Sequence, residues 1–361
     1  MENKPMSLTN FTIPEVEKLV TSPGEPGYRA DQLLGWVYKR LVVSYDEMTD
    51  LPLAFRQKLS GQISLHTLRP VREAVSLDGT VKLLFCLRDG KTVEAALMLY
   101  AAGEGRTRTT VCLSTQVGCA IGCHFCATGK QGFERNLTPG EMVDQVLYFA
   151  RRVKDKKEGT ESRLGHITNI VFMGMGEPLA NYEALIQAIQ TLTSPRGYGT
   201  SARNITISTA GMVPQIRRLS GEGLKVGLAV SLHAPDNALR NRLVPLNKRH
   251  PIEELLPACR EFTQKTGRRV SFEYILFAGI NDSLAQAKAL AGLLRGLNCH
   301  VNLIPANRTG DAAYRPPLRG VILAFERELG ENGVACTVRV SRGQDINAGC
   351  GQLRSQFLFE R

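Results

Sequence analysis

No stretch of this 361-residue chain approaches the ~18 consecutive apolar residues that a membrane span needs. The opening Met1-Glu-Asn-Lys-Pro5 lacks the basic-then-apolar order of a secretion signal, so the expected location is the cytoplasm. Cysteines do not come in an even set: there are nine, which in a reducing compartment argues against a disulfide framework. Tryptophan occurs once, at Trp36, inside a helical pattern whose core it is expected to anchor. Acidic residues are in deficit, 34 against 45 Lys and Arg, and the net charge of +11 suits a polyanionic partner, because phosphate contacts dominate nucleic-acid affinity. Arg106, Arg108, Lys130, Arg135, Arg268 and Arg269 are the candidate phosphate contacts.

A fourth cysteine is missing where it would be most telling. Cys119-Ala-Ile-Gly-Cys123-His-Phe-Cys126 packs three thiols into one tight loop after a short apolar run, Val111 to Leu113. Three thiolates can hold three irons of a cubane and leave the fourth iron without a protein ligand. An electron-transfer cluster would normally supply a fourth cysteine, whereas an open iron can bind and reduce a substrate. Two other readings stand beside this one. His124 would complete a four-ligand zinc site, although structural zinc spacing is usually split into two pairs. The three cysteines would otherwise be buried by chance. Cys86, Cys259, Cys299 and Cys336 lie in apolar surroundings and read as packing; Cys259 shares a helical face with Ile252, Leu255, Leu256 and Phe262. Cys350 stands alone between Gly349 and Gly351, in a loop flexible enough to move a nucleophile between partners.

Residues 1–64 read as a small helical unit, with helical spacing over Pro14–Val20 and Arg29–Val42. Residues 65–104 alternate as a β-hairpin, Val81–Leu87 and Thr92–Met98 joined by Asp89-Gly90, with Glu94 in the second arm. Residues 105–345 alternate strand and helix. A capping box, Thr138-Pro-Gly-Glu141, opens a helix, and strands follow at Ile167–Met173, Ile205–Ser208, Val226–Leu232, Val270–Leu276 and His300–Ile304. Helical patterns at Tyr182–Leu192, Ile252–Thr266 and Leu284–Leu297 have crossover length, which implies a parallel sheet. With the strand into Cys112 there are six units, too few for a full eight-fold barrel, and Leu318–Leu329 and Thr337–Val340 would close the edge. Residues 346–361 form a C-terminal segment.

In barrels of parallel strands, functional residues collect at the C-terminal strand ends. Each apolar strand here breaks into a polar or glycine-rich turn: Gly174-Met-Gly176-Glu177, Ser208-Thr-Ala-Gly211, Ser231-Leu232-His233 and Pro305-Ala-Asn307. A strand end needs such residues for the turn alone, but four on one rim describe a binding site.

The three-cysteine spacing, with an aromatic before the last, resembles the radical S-adenosylmethionine (SAM) superfamily. Cys112-Leu-Ser-Thr-Gln-Val-Gly-Cys119, Ala127-Thr-Gly-Lys-Gln-Gly-Phe133 and Gln344-Asp-Ile-Asn-Ala-Gly-Cys350-Gly-Gln-Leu resemble the RlmN family from about Tyr28 to the C-terminus. The resemblance implies an α/β fold, an open partial six-unit (β/α) barrel with a small N-terminal helical accessory domain that helps grip RNA. It implies methylation of C2 of an adenosine in the peptidyl-transferase loop of 23S rRNA, and of the adenosine 3′ of the anticodon in tRNA. Cys119, Cys123 and Cys126 would hold a 4Fe–4S cluster. Gly176, Glu177, Ser208, Ser231, Leu232, His233 and Asn307 would bind SAM. By the same resemblance Cys350 takes a methyl from one SAM, and the cluster cleaves a second to a radical that activates that methyl for addition to C2. Cys112 then resolves the protein–RNA adduct through a transient disulfide with Cys350, and Glu94 accepts a proton. A flavodoxin- or ferredoxin-like donor and a monomeric state are expected. The related Cfr type, which methylates C8, shares the cluster and both cysteines, and a non-catalytic iron–sulfur or zinc RNA-binding protein is the alternative from another class. The segment between Glu94 and Cys112 is a few residues longer than the family usually has, and Gly349 stands where alanine is common.

Overall fold

The computed structural model describes residues 6–22, 24–100, 108–155, 166–307, 313–339, 342–346 and 351–359. Helix α1 (Ile13–Thr21) starts at a capping box, in which the Thr12 N–H donates to Glu15 Oε2 at 2.7 Å and the Glu15 N–H to Thr12 Oγ1 at 3.4 Å. Helix α2 (Tyr28–Leu34) continues as a wider π turn, Gly35–Arg40, and ends at Leu41 in the left-handed region with φ 64°. Helix α3 (Leu53–Gln62) completes the unit. The buried stripe of the second helix is Ala30, Leu33, Leu34 and Val37, a spacing of i, i+3, i+4 and i+7. Position 36 falls beside that stripe, so Trp36 is not the core anchor expected. It lies half-buried, its indole N–H donating to Asp50 and the Arg40 guanidinium 3.8 Å above its ring.

Strands β1 (Arg69–Val75), β2 (Val81–Cys86), β3 (Thr92–Tyr100) and β4 (Arg108–Cys112) form an antiparallel meander. The two arms of the expected hairpin are β2 and β3. Strand β1 is not legible in the sequence, because most of its positions face solvent and carry no apolar alternation. The chain then makes a short excursion, β5 (Gln116–Gly118), α4 (Ala127–Lys130) and β6 (Phe133–Asn136), with β5 and β6 paired antiparallel. Alternation follows: α5 (Pro139–Asp155), β7 (Asn169–Phe172), α6 (Tyr182–Thr193), β8 (Ile205–Thr209), α7 (Val213–Gly221), β9 (Gly227–Ser231), α8 (Asn237–Leu243), α9 (Ile252–Thr266), β10 (Val270–Leu276), α10 (Leu284–Leu294), β11 (Cys299–Pro305), α11 (Arg319–Glu331), β12 (Cys336–Val338) and α12 (Gln352–Phe359).

All the long strands belong to one sheet of order β1-β2-β3-β4-β7-β8-β9-β10-β11-β12, parallel from β4 onward. The six expected parallel units are β4 and β7 to β11, and β12 extends the edge. Ile170, Phe172, Ile207, Leu228, Val230, Phe272, Val301 and Leu303 are buried along these strands. Burying each such side chain contributes about 1.5–3 kcal/mol, which fixes the sheet and hence the rim that its strand ends define. The capping box at Thr138 forms as expected: Thr138 N–H donates to Glu141 Oε2 at 2.9 Å and Glu141 N–H to Thr138 Oγ1 at 3.2 Å. Among the described residues no helix is long and apolar enough to cross a membrane.

Candidate active site at the C-terminal strand ends

The three-cysteine loop is fastened over the rim at several points. The Cys119 N–H donates to Gly132 O at 2.8 Å, the Cys126 N–H to Cys123 O at 3.0 Å, and the His124 N–H to Leu243 O at 3.3 Å. Cys126 Sγ accepts from the Gly129 N–H at 3.4 Å and so caps α4. Phe125, the aromatic before the last cysteine, wedges against His233 at 5.0 Å, edge to face, and against Phe277 at 5.3 Å. It therefore seats the loop on the ends of β9 and β10.

Burial pushes the Cys119 thiol up to about 12 and the Cys123 thiol higher still, and nearby thiols add to both rises. Cys119 and Cys123 are half-buried thiols that resist ionisation, and a strongly cationic occupant would restore the balance on their deprotonation. Among the described residues no three His, Cys, Asp or Glu side chains converge as a single ion requires. A cubane, whose irons lie apart, does not ask its three thiolates to meet at one point as a tetrahedral zinc does. His124, the fourth ligand of the zinc reading, is exposed.

Below the loop, the turn after β7 passes hard against the start of β5. Gly176 has φ +101°, and a Cβ there would lie 2.6 Å from Gln116 Cβ, so only glycine fits. Glu177 is wholly enclosed. Its Oε1 accepts from Leu179 N–H at 3.1 Å and its Oε2 from Ala210 N–H at 2.7 Å, tying the turns after β7 and β8 together, and burial pushes its carboxyl up to about 7. Ser208, Ser231 and Asn307 are half-buried on the same rim. His233 adopts φ 58°, and its Nδ1 accepts the Ile275 N–H at 3.1 Å, which leaves the ring proton on Nε2. Burial and the nearby Arg240 charge hold that imidazole down at about 3, so it is a neutral donor at physiological pH. Leu232 offers no side chain to the rim: it is buried in the core, and its N–H donates to Glu273 O at 3.0 Å.

Sequence reading misses Arg240, which is fully buried with no carboxylate partner among the described residues. Its guanidinium donates to Leu232 O (3.1 Å), Ser231 O (3.0 Å), Ala210 O (2.6 Å) and Asn247 Oδ1 (2.7 Å), joining the ends of β8 and β9 from beneath. Its charge also lowers the Cys123 thiol against the other influences on it. Replacement by methionine keeps the volume but orphans these buried acceptors, so Arg240→Met is expected to cost at least about 3 kcal/mol in urea unfolding.

The second sulfur site lies where the meander joins the barrel. Lys82, Glu94, Cys112, Met173, Gly174 and Arg342 line a cavity of about 170 Å³. Lys82 Nζ lies 2.8 Å from Glu94 Oε2. The same carboxylate reaches the C-terminal segment: Gly351 N–H donates to Oε2 at 2.8 Å and Arg354 N–H to Oε1 at 2.6 Å. Gln131 Nε2 donates to Gly351 O at 3.0 Å, and the Arg354 guanidinium donates to Gln131 Oε1 at 2.6 Å and pairs with Glu134. The start of α12 is thus held by Glu94 and by the chain just after Cys126. Cys350, one residue before Gly351, lies outside the described residues, as do Arg106 and Gly349. Arg135, expected as a phosphate contact, is instead a structural ion pair, bonded to Glu141 at 2.8 Å through two nitrogens and to Asp89 at 2.7 Å. A wider recess of about 750 Å³, lined by Tyr38, Lys39, Lys154, His166 and Tyr198, opens at the opposite strand ends, away from the cysteines.

Residues 113–290 match the radical SAM superfamily, and residues 6–65 match the ribosomal RNA large subunit methyltransferase N-terminal domain. A radical SAM methyltransferase of solved structure from Sphaerobacter thermophilus is 51% identical, with a TM-score of 0.91 over 96% of this chain and 99% of that one. The dual-specificity RNA methyltransferase RlmN of Syntrophobacter fumaroxidans is 46% identical over 98% of this chain and 99% of its own. The probable dual-specificity RNA methyltransferase RlmN of Geobacillus kaustophilus is 43% identical over 97% of this chain and 93% of its own. With the cysteine loop, the partial barrel and the N-terminal unit all matched, the chain belongs to the RlmN family of radical SAM methyltransferases.

Proposed function

We propose that the protein methylates C2 of an adenosine in the peptidyl-transferase loop of 23S rRNA, and of the adenosine 3′ of the anticodon in tRNA, carrying the methyl on Cys350. The observation that carries this reading is the anchoring of α12. Its first residues are bonded both to Glu94, in the cavity that Cys112 lines, and to Gln131 beside the cysteine loop. A C-terminal segment fastened there can present a side chain to either sulfur centre.

Cys119, Cys123 and Cys126 hold a 4Fe–4S cluster, and Gly176, Glu177, Ser208, Ser231, Leu232, His233 and Asn307 form the rim that binds SAM. When bound, the cluster and SAM supply one-electron chemistry, which C2 needs because an aromatic C–H of this kind is not nucleophilic. Cys350 Sγ would take the methyl of one SAM, losing its thiol proton as the sulfonium C–S bond breaks and S-adenosylhomocysteine leaves, and a second SAM would be used in activating that methyl, two per turnover. Cys112, as thiolate, attacks the Cys350 sulfur of the adduct: an S–S bond forms as the S–C bond breaks, the electron pair stays on the carbon, which takes up a proton as the methyl group, and two electrons from a reductant return the disulfide to thiols. Glu94 accepts the C2 proton once one of its three present donors lets go. Covalent attachment divides the hard step into easier ones. The target base is extruded or presented in a loop, as chemistry on a base requires. Residues 1–64 act as the accessory RNA-gripping unit, 65–104 as the connecting meander, 105–345 as the barrel and 346–361 as the methyl-carrying segment. A flavodoxin- or ferredoxin-like protein donates the electron, and the chain works as a monomer.

Mass spectrometry of RNA nucleosides after anaerobic reaction with methyl-labelled SAM and a reductant tests the reading. Label in 2-methyladenosine is the expected result. Label in 8-methyladenosine moves the chemistry to the Cfr type, and SAM cleavage with unlabelled RNA overturns the substrate.

A further inference from the structure

Lys82 has no part in the scheme above, yet its position is unusual. It lies in the strand run Val81-Lys-Leu-Leu-Phe-Cys-Leu87, and only 2% of it is exposed. A buried ammonium is costly unless paired, so its partner matters. Strand register supplies the reason. Lys82 stands opposite Ala96 on β3, and Ala96 stands opposite Cys112 on β4, so the three share one row and one face of the sheet. Glu94, two residues from Ala96, is on the same face, and the small Ala96 leaves the cavity open between the lysine and the thiol. The charged groups lining that cavity are Lys82, Glu94 and Arg342, and Cys112 is the thiol among them.

Glu94 is the shared element. Its carboxylate takes the N–H groups of Gly351 and Arg354 at the N-terminal end of α12, an end that favours a negative charge. At 3% exposure a carboxylate without a countercharge would be costly. Lys82, 2.8 Å away, provides the countercharge.

We propose that Lys82 is a positioning residue of methyl transfer: its ammonium pairs with Glu94 and keeps that carboxylate aimed at the start of α12, and so fixes how the Cys350-bearing segment is presented to Cys112. The same charge favours the Cys112 thiolate, working against the burial and the Glu94 charge that push this thiol up to about 11. The proposal rests on the functional reading above and adds to it a residue that makes no bond with the RNA. A methionine in place of the lysine would leave Glu94 uncompensated, whereas an arginine would restore the charge.

The test compares wild type, Lys82→Met and Lys82→Arg as cluster-loaded full chains. RNA methylation, reductive SAM cleavage and the pH midpoint of Cys112 alkylation, read by peptide mass spectrometry, are followed together. Lys82→Met is expected to lower kcat for RNA methylation by on the order of 100-fold, the cost of a misplaced reacting group, with KM for RNA within about threefold of wild type. Its Cys112 midpoint is expected to rise by about one pH unit, the scale of one nearby charge lost. Lys82→Arg returns both readouts most of the way. Methylation by Lys82→Met within about threefold of wild type overturns the proposal. Equal losses in both variants with an unmoved Cys112 midpoint also overturn it, by reducing Lys82 to packing. If wild type itself methylates no adenine, the functional reading fails, while the alkylation midpoints still decide the role of Lys82.

Discussion

Cys123→Ser yields a folded chain that assembles no reducible cluster and methylates no RNA. The hydroxyl is a far poorer soft-metal ligand than a thiolate, and the loop supplies only three thiols, so none is to spare. Folding survives because the loop is held by contacts that do not involve this side chain, the Cys119 N–H to Gly132, the His124 N–H to Leu243 and Phe125 against His233 and Phe277. Activity is expected to fall by at least roughly 10⁴-fold, the scale seen when one member of a group acting as a unit is removed. Iron and sulfide per chain, with RNA methylation measured on the same sample, check it. Normal iron content in the variant would mean that the loop is not the cluster site.

Gly351→Ala separates the two sulfur centres. Gly351 has φ +79°, and a Cβ would stand 2.5 Å from Thr128 Oγ1 and 2.7 Å from the Thr128 backbone nitrogen. The left-handed conformation alone costs about 1–2 kcal/mol for a residue with a Cβ, and the backbone clash cannot be relieved by rotating a side chain. The start of α12 must move, and the 2.8 Å hydrogen bond from the Gly351 N–H to Glu94 is the first to break. Iron content and SAM cleavage are expected to stay near wild type, because the cysteine loop and the strand-end rim are held elsewhere. RNA methylation is expected to fall by on the order of 100-fold, the cost of displacing a reacting group by about 1 Å. The two activities, measured side by side, check it. A parallel loss of both would place α12 in SAM binding instead.

What is legible in the sequence is local. The three cysteines fall within eight residues, so their proximity needs no fold to be recognised. The rim turns are legible for a similar reason, since each follows directly on its own apolar strand. The residues that sequence reading misses act across distance. Arg240 carries no local signal, because only the fold brings three carbonyls at the ends of β8 and β9 onto it. Lys82 carries no local signal either, because only strand register sets it in line with Cys112. Arg135 reads as a phosphate contact because its partners Asp89 and Glu141 come from a hairpin turn and a helix start, which the fold alone brings together. Trp36 differs from its expected place by about one position on a helical wheel, the difference between a buried stripe and its edge.

The central claim is that the C-terminal segment carries the methyl from SAM to RNA. Peptide mass spectrometry of the residue 350 region, after incubation with methyl-labelled SAM and before RNA is added, tests it most directly. The account predicts labelled methyl on Cys350, its disappearance when RNA and reductant are supplied, and its carbon in the methylated adenosine. RNA labelled equally well by Cys350→Ala would contradict it.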